Sequence, residues 1–121
     1  MRASLLLIAV LAGTMLPGQT VENEKPYKVG GSVSPPRIIS KVDPEYTPEA
    51  LKARLEGRVL LQLVVTRDGD SSDVHVLRPL GLGLDEKAIQ AVQLWRFKPG
   101  EKSGKPVPVE VALEVNFRLP H

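Results

Sequence analysis

His75, His121 and the acidic run Asp68-Gly69-Asp70-Ser71-Ser72-Asp73 are the residues of this 121-residue chain best suited to chemistry. A hydrolytic triad needs a nucleophile, a base and an orienting carboxylate brought together, and a zinc site needs three or four ligands. One mid-chain histidine, a second at the last position and no cysteine supply neither. Counted as a calcium loop from Asp68, the run needs glycine at its sixth position and glutamate at its twelfth, but has Asp73 and Pro79 there. It reads as a polar hairpin turn. His75 alternates with Val74 and Val76 and reads as a strand residue on the less buried face. The expectation is a protein that is not an enzyme and needs neither cofactor nor metal.

Two other clusters suggest binding. Arg96, Lys98, Lys102 and Lys105 flank Trp95 and Phe97, the composition of a stacking platform for single-stranded nucleic acid. Trp95, however, falls on an apolar helical stripe. The net charge of +2, from 16 basic and 14 acidic residues, is also too balanced to advertise a polyanion partner. No nucleic-acid partner is expected. The second cluster is the last strand: Val107, Val109, Val111, Leu113, Val115, Phe117 and Leu119 occupy every odd position, with mostly polar residues between them. A long alternating strand without inward charge is what proteins normally blunt at a sheet edge, and Pro106 and Pro108 guard only its beginning. From Val109 to Arg118 its main chain could pair with an extended peptide. The same pattern fits a central strand, or an edge covered by a second copy of the chain.

The elements that must position this strand are short. Thr47-Pro48-Glu49 is a helix start, with Thr47 as N-cap, Pro48 at the first helical position and Glu49 facing the positive end of the dipole. Tyr46 is expected to staple onto Leu51, and Gly57 to end the helix near Glu56. Residues 58–78 read as a hairpin whose turn, Asp68-Gly69, supplies two left-handed positions. Asp85 reads as the N-cap of a second helix, from Glu86 to about Arg96, with Leu84 stapled to Ile89 and with Ala88, Ile89, Val92 and Trp95 on its buried stripe. The order is helix, strand, strand, helix, strand.

Ahead of these, Met1-Arg2 precedes fourteen uncharged residues, Ala3 to Leu16, closed by Pro17-Gly18. That run is shorter than the about 20 residues a membrane span needs and fits a secretory signal. Residues 20–40 are poor in large apolar groups and carry Pro26, Gly30, Gly31, Pro35 and Pro36. They read as a flexible tether of at most ~70 Å at roughly 3.3 Å per residue. The expected organisation is a signal peptide at 1–19, a tether at 20–40 and a folded domain at 41–121.

Pro44-Glu45-Tyr46, Leu55-Glu56-Gly57-Arg58-Val59, Asp68-Gly69, Leu84-Asp85, Trp95-Arg96-Phe97-Lys98-Pro99, Gly104-Lys105-Pro106-Val107 and Val115-Asn116-Phe117, in this order and spacing, resemble the C-terminal domain of the TonB family over residues 35–119. The resemblance implies an α+β fold of two short helices packed on a three-stranded antiparallel sheet. It also implies a periplasmic location in a Gram-negative cell. The partner it implies is a short segment of outer-membrane transporters, the TonB box, added to the last strand, or another envelope peptide captured in the same way. Carried onto this chain, the peptide site is Val109, Val111, Leu113, Val115 and Phe117, with Pro44, Glu45 and Tyr46 as a secondary contact. Family members that transduce energy for transmembrane transport keep a membrane helix and a long Pro-rich spacer. The alternatives are therefore a self-associating envelope protein forming a homodimer, or an inner-membrane-anchored transducer if Ala3 to Leu16 is retained.

Overall fold

The structure, a computed structural model, describes residues 25–120. The expected signal peptide at 1–19 and His121 lie outside the described residues.

Thr47 caps α1 (Pro48–Lys52) as its type predicts: its Oγ1 accepts the Ala50 N–H at 3.1 Å, and Pro48 opens the helix. The helix is shorter than expected. Arg54 takes the left-handed turn at φ 52°, and the Leu55 and Arg54 N–H groups donate back to Ala50 and Leu51 carbonyls at 3.0 Å each, satisfying the last turn in the Schellman manner. Gly57 does not cap the helix but starts β3 (Gly57–Val65), where a side chain would press on Leu80. Leu51 is half exposed, so the staple does not form. Tyr46 instead meets Phe117 edge to face, ring centroids 5.5 Å apart.

In β3 the odd residues Val59, Leu61, Leu63 and Val65 are fully buried, as the alternation predicts. β3 pairs antiparallel with β4 (Ser71–Arg78) through a Thr66–Asp70 loop. Only Gly69 of the expected turn pair is left-handed, because the loop is longer than a two-residue turn: the Thr66 N–H donates to the Asp70 carbonyl at 2.8 Å. A side chain at Gly69 would collide with the Phe97 carbonyl, and the Phe97 N–H donates to the Gly69 carbonyl, so the hairpin tip is docked.

The second helix, α2 (Leu84–Val92), starts after a left-handed Gly83 and ends before Trp95. Asp85 is not its N-cap; its carboxylate accepts the Leu80 and Gly81 N–H groups at 2.7 and 3.2 Å and folds the approaching loop onto the first turn. Leu84 is the first residue of the helix rather than the residue before its cap, so it does not hold the staple position; it is fully buried in the main core with Ala88 and Val92. Trp95 lies beyond the helix but remains buried, its indole N–H donating to the Val42 carbonyl at 2.9 Å.

The last long strand, β8 (Val109–Phe117), pairs antiparallel with the whole of β3. The fold is α+β with three long antiparallel strands, as expected, plus a fourth that the sequence reading missed. β1 (Tyr27–Lys28) pairs in parallel with Val109–Glu110, giving the sheet order β1-β8-β3-β4. The described part of the expected tether is therefore built into the fold. β2 (Arg37–Ser40) pairs with β5 (Arg96–Lys98), β6 (Glu101–Lys102) pairs with β7 (Lys105–Pro106), and Val33 is buried with Val107 and Val109 in a second small core. Backbone pairing holds this segment where its own apolar content is low: the Ser34 N–H donates to the Glu101 carbonyl at 2.9 Å, and Gly100 gives Ser34 room to approach.

Candidate functional site

Successive residues of a strand direct their main-chain groups to opposite sides. The Tyr27 N–H reaches the Pro108 carbonyl at 2.8 Å on the outer side of β8, and the Thr66 N–H reaches Asp70 on the β4 side of β3. Even residues of β3 therefore face β4 and odd ones face β8. In the register Val65 to Val109 through Gly57 to Phe117, the odd residues of β8 spend their main-chain groups on β3. The outward groups belong to Glu110, Ala112, Glu114 and Asn116. β1 covers this rim at Glu110 only, and from Ala112 to Asn116 no strand among the described residues lies alongside it.

Of the five β8 residues expected to hold a peptide, Val109, Val115 and Phe117 are buried and Val111 and Leu113 are half-buried. Their side chains form the inner wall beside the rim. The groups able to pair are those of Ala112, Glu114 and Asn116, which lie within the Val109–Arg118 main chain offered by the sequence but outside the five side chains named there. Alternation separates the two sets; which set points outward depends on the register with β3.

At the Phe117 end the rim opens into a cleft of about 410 Å³ lined by Asp43, Pro44, Tyr46, Asn116, Phe117 and Arg118. A second hollow, about 580 Å³, lies against the same strand end on the side of Glu56, Arg58 and Glu114. Pro44, Tyr46 and Phe117, nominated from distant parts of the sequence, are thus brought together. Asp43, Asn116 and Arg118 join them without a sequence signal. Glu45 faces elsewhere: it is well exposed and its carboxylate pairs with the Lys87 ammonium on α2 at 3.4 Å. Tyr46 is fixed by donating its hydroxyl to the Leu55 carbonyl at 2.8 Å. Its pKa is raised above the ordinary value by burial and, second, by the nearby Glu56 carboxylate. Glu56 also accepts the Leu119 N–H at 2.7 Å, turning the chain away just past the strand. Along the rim, Glu114 pairs with Arg58 at 3.3 Å, and Glu110 accepts from the Gln62 amide at 2.6 Å.

Elsewhere the chemistry-bearing residues are used structurally. Asp70 pairs with Arg96, and exposed His75 lies 3.3 Å from Asp73. Among the described residues no group of three or more His, Asp or Glu is placed to hold a metal. Trp95 and Phe97 are buried and offer no stacking face.

The family described as "Gram-negative bacterial TonB protein C-terminal" matches residues 42–119. The chain belongs to the TonB C-terminal family. It is 32% identical over 84 residues to Protein TonB of Escherichia coli K12, covering 69% of this chain and 35% of that protein. It is 34% identical over 77 residues to Protein tonB2 of Pseudomonas aeruginosa PAO1, covering 63% and 28%. The chain thus spans about a third of the length of the curated relatives it matches. The solution NMR structure of the Pseudomonas aeruginosa TonB CTD superposes with a TM-score of 0.58 at 25% identity, covering 78% of this chain and 94% of that one. In this TonB C-terminal domain, residues 25–41, ahead of the family match, supply β1 and β2.

Proposed function

We propose that this TonB C-terminal domain is a periplasmic, non-catalytic binding module that captures an extended peptide by adding it as a strand along Ala112–Asn116. The peptide class is the TonB box of an outer-membrane transporter or a similar envelope segment. The observation that supports this best is the uncovered rim of main-chain donors and acceptors between β1 and the Pro44–Tyr46–Phe117 cleft. Main-chain pairing supplies affinity that depends little on sequence, and flanking pockets supply selectivity. Half-buried Val111 and Leu113 lie beside the rim, so a docked strand would cover apolar area that the free domain leaves partly wet.

Titration with a TonB-box peptide while following amide resonances tests this reading. Shifts concentrated at Ala112, Glu114 and Asn116, with Tyr46 and Phe117 ring signals moving too, are expected. Shifts confined to β4 or α2, or no binding at millimolar peptide, would refute it. The same rim favours one second reading, pairing with another copy of the chain; a dominant dimer by sedimentation at micromolar protein would select it. Whether the domain also transduces energy depends on Ala3 to Leu16. Intact Met1 in the membrane fraction, by mass spectrometry, would establish an anchored transducer, and a processed chain in the periplasm a free binding module.

A further inference from the structure

At the opposite end of the sheet, where the hairpin tip docks, two cross-strand pairs place like charges directly opposite one another. Arg37 faces Lys98 in the β2–β5 ribbon, and Lys102 faces Lys105 in the β6–β7 ribbon. Opposed like charges on a sheet are ordinarily destabilising. Neither pair has an acidic ion-pair partner among the described residues, whereas neighbouring Arg96 is neutralised by Asp70. The ribbons are continuous in space, because Val33 bridges to Lys102 and Ser34 bonds to Glu101 while residues 37–40 run along 96–98. On the strand that carries Arg37 stands the most exposed of the large apolar residues described, Ile39, 67% accessible as the extra residue of a β-bulge, with Ile38 beside it at 44%. Glu101 is the one carboxylate in the small hollow between Arg37 and Lys98, so this is a charged surface rather than a cage for a single ion.

We infer that this end of the domain, centred on Arg37, Ile39, Lys98, Lys102 and Lys105, docks on an anionic lipid bilayer. A bilayer surface offers what the patch lacks: a plane of negative headgroups for opposed cations and an apolar boundary for an isoleucine. A nucleic acid would use the cations but gives Ile39 nothing; Trp95 and Phe97 are buried, and the half-buried Tyr27 ring is already covered by the Lys102 ammonium. Docking by this end leaves the Phe117 end of β8, nine residues or about 30 Å along the strand, pointing away from the membrane. The inference does not depend on peptide capture.

The test is flotation of the full chain with vesicles of phosphatidylcholine alone or with about 30% phosphatidylglycerol, at low and high salt. R37E and K102E, which leave the N-terminus with its Arg2 intact, separate this patch from any contribution of Met1–Leu16. At least tenfold stronger partition into the anionic vesicles, abolished by high salt, is expected. R37E should lower that partition several-fold. It also converts a like-charge pair into an opposite-charge one, so its thermal midpoint should be no lower than wild type. K102E should act similarly through the second ribbon, and I39S should weaken binding without changing its salt dependence. Equal partition into both vesicle types, or unchanged binding by R37E and K102E, would overturn the inference. So would binding of a single-stranded oligonucleotide as tight as that of the anionic vesicles, with I39S weakening neither.

Discussion

The two ends of β8 are built from the same alternation and differ in what lies outside them. At Val109–Glu110 both sides of the strand are filled, by β3 and by β1, and Val109 is fully buried in the small core with Val33 and Val107. At Ala112–Asn116 the inner side is filled and the outer side is open, and the strand ends in a cleft. A ladder is thus closed or left open on its outer side according to whether two residues from about eighty positions away lie beside it. On the proposed function those two residues are a stop: a peptide adding to the rim would extend from Asn116 to Ala112 and no further while β1 stays in place.

Proline separates the two sides of the strand most forcefully. Val115→Pro removes an N–H directed at β3 in mid-sheet, and the expected result is loss of cooperative folding by circular dichroism. Glu114→Pro, one residue earlier, removes an outward N–H and should fold. It gives up only an exposed ion pair with Arg58, worth at most about 1 kcal/mol. Its peptide affinity should nevertheless fall about tenfold, the equivalent of one lost hydrogen bond at about 1.4 kcal/mol. If the two variants behave alike, the assignment of inner and outer groups is wrong. Next in size, Phe117→Ala should cost about 3–5 kcal/mol in urea denaturation, because it empties a fully buried site and removes the ring that Tyr46 packs on.

The covered end can be opened instead. Tyr27→Pro abolishes the N–H that reaches Pro108 and removes the ring beneath the Lys102 ammonium. A loss of roughly 2 kcal/mol is expected. In this variant, peptide-induced shifts should spread to Glu110. If they still stop at Ala112, β1 does not set the limit of the rim.

Where the strands are long and regular, their sequence was enough to find them. The odd residues Val59 to Val65 of β3 are buried, and those of β8 are buried or half-buried, because a two-residue period leaves one face toward the helices, and that period is visible in the chain itself. The Thr47 cap was legible for a similar reason, since its partner is three residues away. What could not be read is what depends on distant backbone. β1 and β2 are short, polar and proline-flanked, and exist because β8 and β5 offer them ladders. Asp85 looks like a cap from its neighbours alone, but the loop at Leu80–Gly81 claims its carboxylate. In the candidate site, Pro44, Tyr46 and Phe117, which the fold brings to one cleft, were nominated by the family resemblance. Asn116 and Asp43 were not, because a polar residue beside a rim looks the same as one on any solvated face.

The smallest expected effect concerns the hydroxyl that anchors the open end. Tyr46 donates to the Leu55 carbonyl, and burial, aided by the Glu56 carboxylate, raises its pKa above the ordinary 10.0. The folded domain therefore holds this proton more tightly than the unfolded chain does. The resulting stability is fully present below about pH 10, where both forms are protonated, and is lost as pH rises from there through the folded value. Tyr46→Phe should cost about 1 kcal/mol near neutral pH through the missing hydrogen bond. It should also flatten the decline in stability above pH 10, as urea midpoints across pH 8 to 11 would record. An undiminished alkaline decline in the variant would assign that decline to other groups. The cleft would then owe its shape to the Tyr46–Phe117 ring contact rather than to the hydroxyl.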